Sequence, residues 1–275
     1  MPSTGTFDRD SAVTRVSDGL YTTTLSDRWN ARPGSLNGGY SLGVALRALA
    51  DSMADAGLPE PLPDPLVVSA FFLRPATPGP AEIRTDLARA GKRTATGESR
   101  LLRDGAEIVR LVATFTDLSQ SRGRTLELGA PPALPPPAEC LNPRDGFVLP
   151  GATIADRVEV RCPAPPGWAL GRPSGDPSAS FWLRFTDGRE PDTMSLPSLV
   201  DACMPVVMEL GARGSSTLEL TVQVRARPAP GWLACRVATR HVIDGYHEED
   251  FDVWDSRGRL VAQARQLALL PAGDA

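Results

Sequence analysis

The sequence predicts an α+β protein built from two copies of one module, each an antiparallel sheet packed on a single long helix. Three observations carry that prediction: an internal repeat, a helical pattern ahead of each copy, and a proline-rich stretch between them. The repeat is read from VSAFFLRPATPGPAEI, starting at Val68, and LTVQVRARPAPGWLAC, starting at Leu220. Each is an alternating strand that ends in Arg-Pro, passes a Pro/Gly turn and enters a second strand. Pro75 and Pro228 are 153 positions apart, and so are Gly105 and Gly258 in RDGAEIVRLVATF and SRGRLVAQARQLALL. One offset held by two separate landmarks marks a duplication.

Along the chain, a few leading strand segments come first. Residues 38–56 then carry Leu42, Ala45, Leu46, Leu49 and Met53 on one face, with Arg47, Asp51 and Asp55 on the other, the 3.6-residue period of an amphipathic helix. Four strands in hairpin order follow. Strands joined by short turns pair antiparallel, because parallel neighbours need long crossovers. APPALPPPAECLNP, residues 130–143, holds too much proline for a helix or a central strand and reads as linker. A second helix is expected over residues 195–211, with Ser195 as N-cap, Pro197 in the first turn and Gly211 as its stop, and four more strands close the chain. The predicted division is a first module over 1–129, a linker over 130–150 and a second module over 151–275. A lone helix that must bury its apolar stripe lies across the concave face of its sheet.

Composition excludes several classes. At 275 residues, with 41% hydrophobic and 23% charged residues, the chain has the make-up of a globular protein with a sizeable core. No apolar run reaches 18 residues, so no membrane span is expected. Residues 1–15 lack the basic and apolar segments of a signal peptide, which makes a cytoplasmic location the expectation. A net charge of −4 argues against a nucleic-acid partner. Cys140, Cys162, Cys203 and Cys235 are scattered without a C-x-x-C, so no metal site is expected. The two histidines, His241 and His247, flank a turn at Asp244-Gly245 and read as surface hairpin residues. Histidine scarcity leaves little room for a Ser-His-Asp triad.

The residues themselves point to a few polar positions. Asp201 is the only charged residue between Ser195 and Met208, on a segment whose apolar side chains Leu196, Leu199, Val200, Cys203, Val206, Val207 and Leu210 form a stripe that Met204, Pro205 and Met208 widen. A carboxylate there is costly unless bonded, and burial raises its pKa toward base chemistry. The pattern alone equally allows an Asp that complements the helix dipole or faces water. In RLVAQARQLALL, Gln266 is the sole polar member of the face made by Leu260, Ala262, Ala264, Ala268 and Leu270. A buried amide there could orient a water or simply bond backbone. The offset places Ala113 at the matching position of the first copy, so only the second copy carries the amide. Gly38 and Gly39 open the first helix, where free N–H groups and the helix dipole suit a developing oxyanion; as the bland alternative they merely form a turn with Asn37 as cap. Cys203 reads as a small core residue, Glu219 as a solvated rival carboxylate, and Arg89, Lys92, Arg93, Arg100 and Arg103 as a basic hairpin that could meet phosphates but is as readily solvated.

The stretches NGGYSLGVALRAL, FFLRPATPGP, SLVDACMPV, STLELTVQVRARP and VWDSRGRLVAQARQ, in this order and spacing, resemble the type II acyl-CoA thioesterase family. The resemblance implies a tandem double hotdog, two antiparallel sheets each wrapped around a long central helix. It implies hydrolysis of fatty acyl-CoA, within fatty-acid metabolism, by a water held by an Asp, a Thr and a Gln. Those roles fall on Asp201, Thr217 and Gln266, with Asn37, Gly38, Gly39 and Tyr40 on the substrate side. No cofactor is implied, and a homo-oligomer is expected. Strand alternation puts Thr217 on the polar face with Glu219, Thr221 and Gln223, so a bulge beside it is needed to aim it inward. Tyr40 stands where better-known members carry Gln. Two other readings compete: a non-catalytic acyl-CoA or acyl-carrier binding protein, and a double-hotdog enoyl-CoA hydratase or dehydratase, which depends on a histidine that neither helical segment has.

Overall fold

A computed structural model describes residues 5–57, 60–146, 150–271 and 273. Residues 147–149 of the expected linker, and residues 1–4, 58–59, 272 and 274–275 of the expected modules, lie outside the described residues. The first half contributes α1 (Thr6–Asp10), β1 (Thr14–Ser17), β2 (Leu20–Leu25), a small ribbon of β3 (Asn30–Arg32) and β4 (Ser35–Leu36), and the long helix α2 (Gly38–Asp55). Its meander follows as β5 (Asp64–Phe72), β6 (Gly79–Ala90), β7 (Ala95–Arg103) and β8 (Ala106–Thr116). The second half contributes β9 (Val158–Arg161), β10 (Ser178–Phe185), the short helix α3 (Leu196–Leu199), β11 (Ser216–Val224), β12 (Leu233–Ala238), β13 (Val242–Ile243), β14 (Tyr246–Trp254) and β15 (Leu260–Leu269). The repeat landmarks match in conformation as well as in position: Gly105 and Gly258 close corresponding hairpins at φ 77° and 76°, a region that excludes most side chains.

Apart from the β3–β4 ribbon, the strands form one antiparallel sheet in the order β1-β2-β6-β7-β8-β5-β11-β15-β14-β12-β10-β9, with β13 against β14. This corrects the expectation of two antiparallel sheets, one to each module. In each meander the first strand lies beside the fourth, which leaves its outer edge unpaired. An open edge exposes a row of backbone donors and acceptors, and the two such edges satisfy each other. The seam runs antiparallel from Glu219 opposite Phe71 to Gln223 opposite Val67. Val68 and Val222 face each other there, both fully buried. On the opposite face, Ser69 and Thr221 share a hydroxyl hydrogen bond of 2.8 Å.

Helix α2 follows its sequence pattern closely. Asn37 caps it, accepting the Tyr40 N–H at 3.0 Å, and Leu42, Leu46 and Leu49 are wholly buried. The helix lies against β7 so tightly that a Cβ on Gly97 would stand 2.8 Å from Leu49 Cδ1 and 3.2 Å from Met53 Cε. The absence of a side chain on one strand residue therefore sets how near helix and sheet can come.

The second helix is not a helix throughout, which corrects the expectation of a long one over 195–211. It runs only from Leu196 to Leu199, turns at Val200–Asp201, and resumes as a 3-10 segment over Val206–Leu210. Pro205 supplies the reason. It has no N–H to bond the carbonyl four residues back, which belongs to Asp201, and it drives the preceding residue out of the helical region. Ser195 does not cap with its side chain either; its own N–H bonds Asp192 Oδ1 at 2.8 Å.

The described part of the linker lies along the second module. Pro135 O accepts the Trp182 indole N–H at 2.8 Å, and Leu141 bridges Cys162 in antiparallel register. Among the described residues, no helix is long and apolar enough to cross a membrane. Leu46→Ala, which deletes a fully buried side chain between α2 and the sheet, is expected to cost about 2–5 kcal/mol; urea unfolding with an unchanged slope checks it.

Candidate active site

The broken second helix delivers Asp201 to the start of α2. Its carboxylate Oδ2 accepts the Gly39 N–H at 2.6 Å and the Asn37 Nδ2 at 3.0 Å. The same Asn37 amide donates at 2.8 Å to the Asp201 carbonyl, the group that Pro205 leaves without a helical partner. Asn37 thus caps its own helix with Oδ1 and holds the turn of the other module with Nδ2. The approach requires glycine: a Cβ on Gly39 would stand 2.5 Å from Ser198 O and 2.8 Å from Asp201 Cβ, and one on Gly38 would meet Phe72 at 2.8 Å and Asp201 Oδ2 at 3.0 Å.

Burial pushes the Asp201 carboxyl up to about 6, against the lowering effect of the Gly39 and Asn37 bonds. Both donors meet Oδ2, so Oδ1 is left for another partner. An aspartate of this kind is ionised at neutral pH yet basic enough to take a proton.

Thr217 and Gln266 are brought together on the second module's sheet. The Thr217 hydroxyl donates to Gln266 Oε1 at 2.9 Å. Strict alternation would turn Thr217 outward, but the β11–β15 register shifts between Thr217 and Glu219. That one-residue bulge puts Thr217 on the side of Gln266 and Ala268. Gln266 is 8% exposed, on the same inward face as Ala262, Ala264 and Ala268.

Sequence reasoning missed the residue that completes this group. Glu249 on β14 is 2% exposed; its Oε2 accepts Gln266 Nε2 at 2.6 Å and its Oε1 accepts the Val206 N–H at 2.6 Å. Burial raises its carboxyl to about 7, with the Asp201 charge adding to the rise. The Asp201 turn and the Glu249-Gln266-Thr217 chain are therefore electrostatic neighbours. A signal existed: counting back by twos from Phe251 and Val253 puts Glu249 and His247 on the apolar face. His247 is accordingly 1% exposed, without a hydrogen-bond partner for either ring nitrogen among the described residues, and burial lowers its pKa. This corrects its reading as a surface residue. His241 is exposed and pairs with Glu248 at 3.1 Å, as a hairpin residue should.

Other expected positions fall elsewhere. Tyr40 does not reach the site: its hydroxyl donates to Asp10 O at 2.8 Å and accepts the Ser26 N–H at 3.0 Å, and its ring stacks on Trp29 at 5.2 Å. The Gly39 amide, assigned from sequence to an oxyanion, is already bonded to Asp201. Cys203 has its thiol pushed well up, chiefly by burial, which disfavours the thiolate a nucleophile needs. Glu219 lies on the other face of the sheet and accepts the Thr221 hydroxyl at 2.5 Å. In the basic hairpin, Arg100 pairs with Glu98 and Arg103 with Asp104. The first module does not repeat this set at the corresponding positions. The 153-residue offset puts Ala48, Asp64 and Ala113 at the places of Asp201, Thr217 and Gln266, and Asp64 is bound by Arg227 and Thr193.

Residues 25–116 match the model of an acyl-CoA thioesterase N-terminal domain, and residues 131–270 that of an acyl-CoA thioesterase C-terminal domain. A crystal structure from Thermobifida fusca, provisionally assigned as a thioesterase II, is 31% identical and superposes with a TM-score of 0.84 over 98% of this chain and 99% of that one. An acyl-CoA thioesterase II from Mycobacterium marinum is similar in fold, with a TM-score of 0.71 at 18% identity over 97% of this chain and 99% of that one. A hot dog fold protein from Alicyclobacillus acidocaldarius reaches 0.79 at 22% identity over 97% and 98%. Uncharacterised proteins of Mycobacterium tuberculosis and Mycobacterium bovis are 29% identical over 264 residues, 90% of each chain.

The raised carboxyl of Glu249 has a stability consequence. Its pKa rises from 4.5 to about 7 on folding, so the folded state holds this proton more tightly. The stabilisation is complete below pH 4.5 and is lost as pH rises through about 7. Relative to Glu249→Gln, which does not titrate, the wild-type unfolding free energy is expected to fall by on the order of 3 kcal/mol across that window. Denaturant titrations of both proteins from pH 4.5 to 8 measure the difference; a constant gap would contradict it.

Proposed function

Because the chain belongs to the acyl-CoA thioesterase family, we propose that it hydrolyses a fatty acyl-CoA to free acid and CoA by direct attack of a water held by Asp201, Thr217 and Gln266. The observation that carries this reading is the setting of Asp201. One carboxylate oxygen is pinned by Gly39 and Asn37, the other is left for a water, and burial makes the group a base near neutrality. Pinning matters because a base held in one orientation pays its entropy in advance.

In the reaction, the water oxygen bonds the thioester carbon while its proton passes to Asp201 Oδ1. The carbonyl oxygen takes the negative charge, and the C–S bond breaks as the tetrahedral intermediate collapses. The thiolate leaves readily and is protonated by Asp201 or solvent, so no covalent acyl-enzyme is needed. With the Gly39 amide engaged by Asp201, the Gly38 N–H at the positive end of α2 is the backbone donor left for the developing oxyanion. On this reading residues 151–275 carry the chemistry, the linker spans 130–150, and residues 1–129 supply the helix end that holds the base.

Release of free thiol from acyl-CoA substrates of graded length tests the proposal. Wild type is expected to turn over, with an acid limb in kcat near pH 6 from Asp201. Asp201→Asn is expected to lose about 10²–10⁴ in kcat, and Thr217→Val and Gln266→Ala to lose activity in the same assay. Full activity in Asp201→Asn would remove its assigned role, and tight ligand retention without thiol release in wild type would favour a binding protein.

A further inference from the structure

Glu249 has no part in the reaction as written, yet it is bonded at both oxygens and ends a chain that leads to the attacking water. The chain runs from the Val206 N–H to Glu249 Oε1, from Gln266 Nε2 to Glu249 Oε2, and from the Thr217 hydroxyl to Gln266 Oε1, at 2.6, 2.6 and 2.9 Å. A primary amide has one donor end and one acceptor end. Whatever Glu249 presents to Gln266 therefore decides which end Gln266 turns toward Thr217.

A carboxylate only accepts, so it takes Nε2 and leaves Oε1 for Thr217. Thr217 must then spend its single proton on Gln266 and can offer a water only lone pairs. A water so placed donates one hydrogen to Thr217 and the other to Asp201, and its own lone pair is free for the thioester carbon. A carboxylic acid at Glu249 keeps the Val206 bond and reverses the two beyond it: its proton goes to the Gln266 oxygen, Nε2 turns to Thr217, and the Thr217 hydroxyl points at the water. That donation consumes a lone pair of the nucleophile.

We propose that Glu249, in its carboxylate form, is a positioning residue that sets the orientation of the Gln266 amide and, through it, the direction of the Thr217 hydroxyl. The proposal rests on the hydrolase reading above, to which it adds the control of the water's orientation. The groups that face Glu249 come from every element around it. Asp201 and Cys203 lie on the turn after α3, with the Val206 and Val207 amides at the start of the 3-10 segment; Gln266 lies on β15, Thr217 on β11, and His247 on β14 itself. The Val206, Val207 and Gln266 bonds favour the carboxylate, whereas burial, chiefly, and the Asp201 charge favour the acid. Burial keeps Cys203 protonated and holds His247 neutral, so Asp201 is the charge whose state couples to that of Glu249. With the balance near pH 7, the chain is expected to reverse direction as the pH falls through neutrality.

Glu249→Gln imitates the acid, since its carbonyl can accept from Val206 while its amide donates to Gln266. Above pH 7.5, kcat on acyl-CoA is expected to fall roughly 10- to 100-fold with KM held within about two-fold. The kcat profile should lose its inflection near 7 and keep the one near 6 from Asp201. A second measurement does not need turnover: the Gln266 side-chain amide resonances, assigned by their loss in Gln266→Ala, should titrate near pH 7 in wild type and not in Glu249→Gln. Unchanged kcat and pH profile in Glu249→Gln, with Asp201→Asn inactive, would overturn the proposal and leave the hydrolase reading standing. If wild type hydrolyses no thioester, that reading falls and the resonances decide orientation alone: a Gln266 amide indifferent to pH between 6 and 8 would sink the proposal.

Discussion

The N-terminus of α2 is where the two modules meet at the candidate site, and its unpaired amides set the terms of that meeting. The first turn of any helix leaves backbone N–H groups without helical partners, backed by the positive end of the dipole. Here Asn37 satisfies one with its side chain, and the Asp201 carboxylate of the other module satisfies the next. The exchange is mutual, because Asn37 also takes up the Asp201 carbonyl that Pro205 deprives of its donor. Glycines at 38 and 39 let the two backbones come within reach. A helix cap, a helix break and a pair of glycines, each ordinary on its own, together hold one carboxylate in one orientation.

The single sheet follows from similar accounting. Duplicating a four-strand meander with its first strand at the edge creates two open edges of the same kind, and pairing β5 with β11 closes both. The pairing also makes β11 a central strand, flanked by β5 on one side and β15 on the other. Its bulge at Thr217 is paired with β15, and the pairing with β5 takes up directly after it at Glu219. At the matching positions of the first module, Asp64 is tied into an ion pair with Arg227, and Ala113 puts a methyl group in the place of the amide.

Two buried carboxylates within electrostatic range of each other are a cost to the fold, since burial disfavours the charge on both and the Asp201 charge raises Glu249 further, and among the described residues no cation pairs with either. Their bonds come from backbone amides and from Asn37 and Gln266, all neutral donors. A lysine or arginine at either would remove the strain and depress the pKa below the range useful for a base at neutral pH. Neutral donors orient the carboxylates and leave them basic. Folding free energy is given up at the same groups where basicity is gained, as is common where stability and chemistry share residues.

Much of this was legible in the sequence. Period and alternation depend on which side chains face apolar surroundings, and that requirement is local. The helix of residues 38–55, the Asn37 cap, the matched hairpins at Gly105 and Gly258, and the inward face of Gln266 all follow from it. The same rule, one strand earlier, puts Glu249 and His247 inside, where they lie, although the nearby turn at Asp244-Gly245 is a surface signal. Other features lay beyond a linear reading. Pro205 was visible, but the partner that relieves the carbonyl it strands is Asn37, 164 positions away. Nor can alternation say which edges pair between modules, that Tyr40 turns its hydroxyl to Asp10, or that Gly39 spends its amide on Asp201. The sequence by itself determined the duplicated module, its helix and the polar residues available to it, because those follow from burial along one element. Only the tertiary structure decided which of those residues share bonds, because a hydrogen bond is made by whatever the folded chain brings within three ångströms.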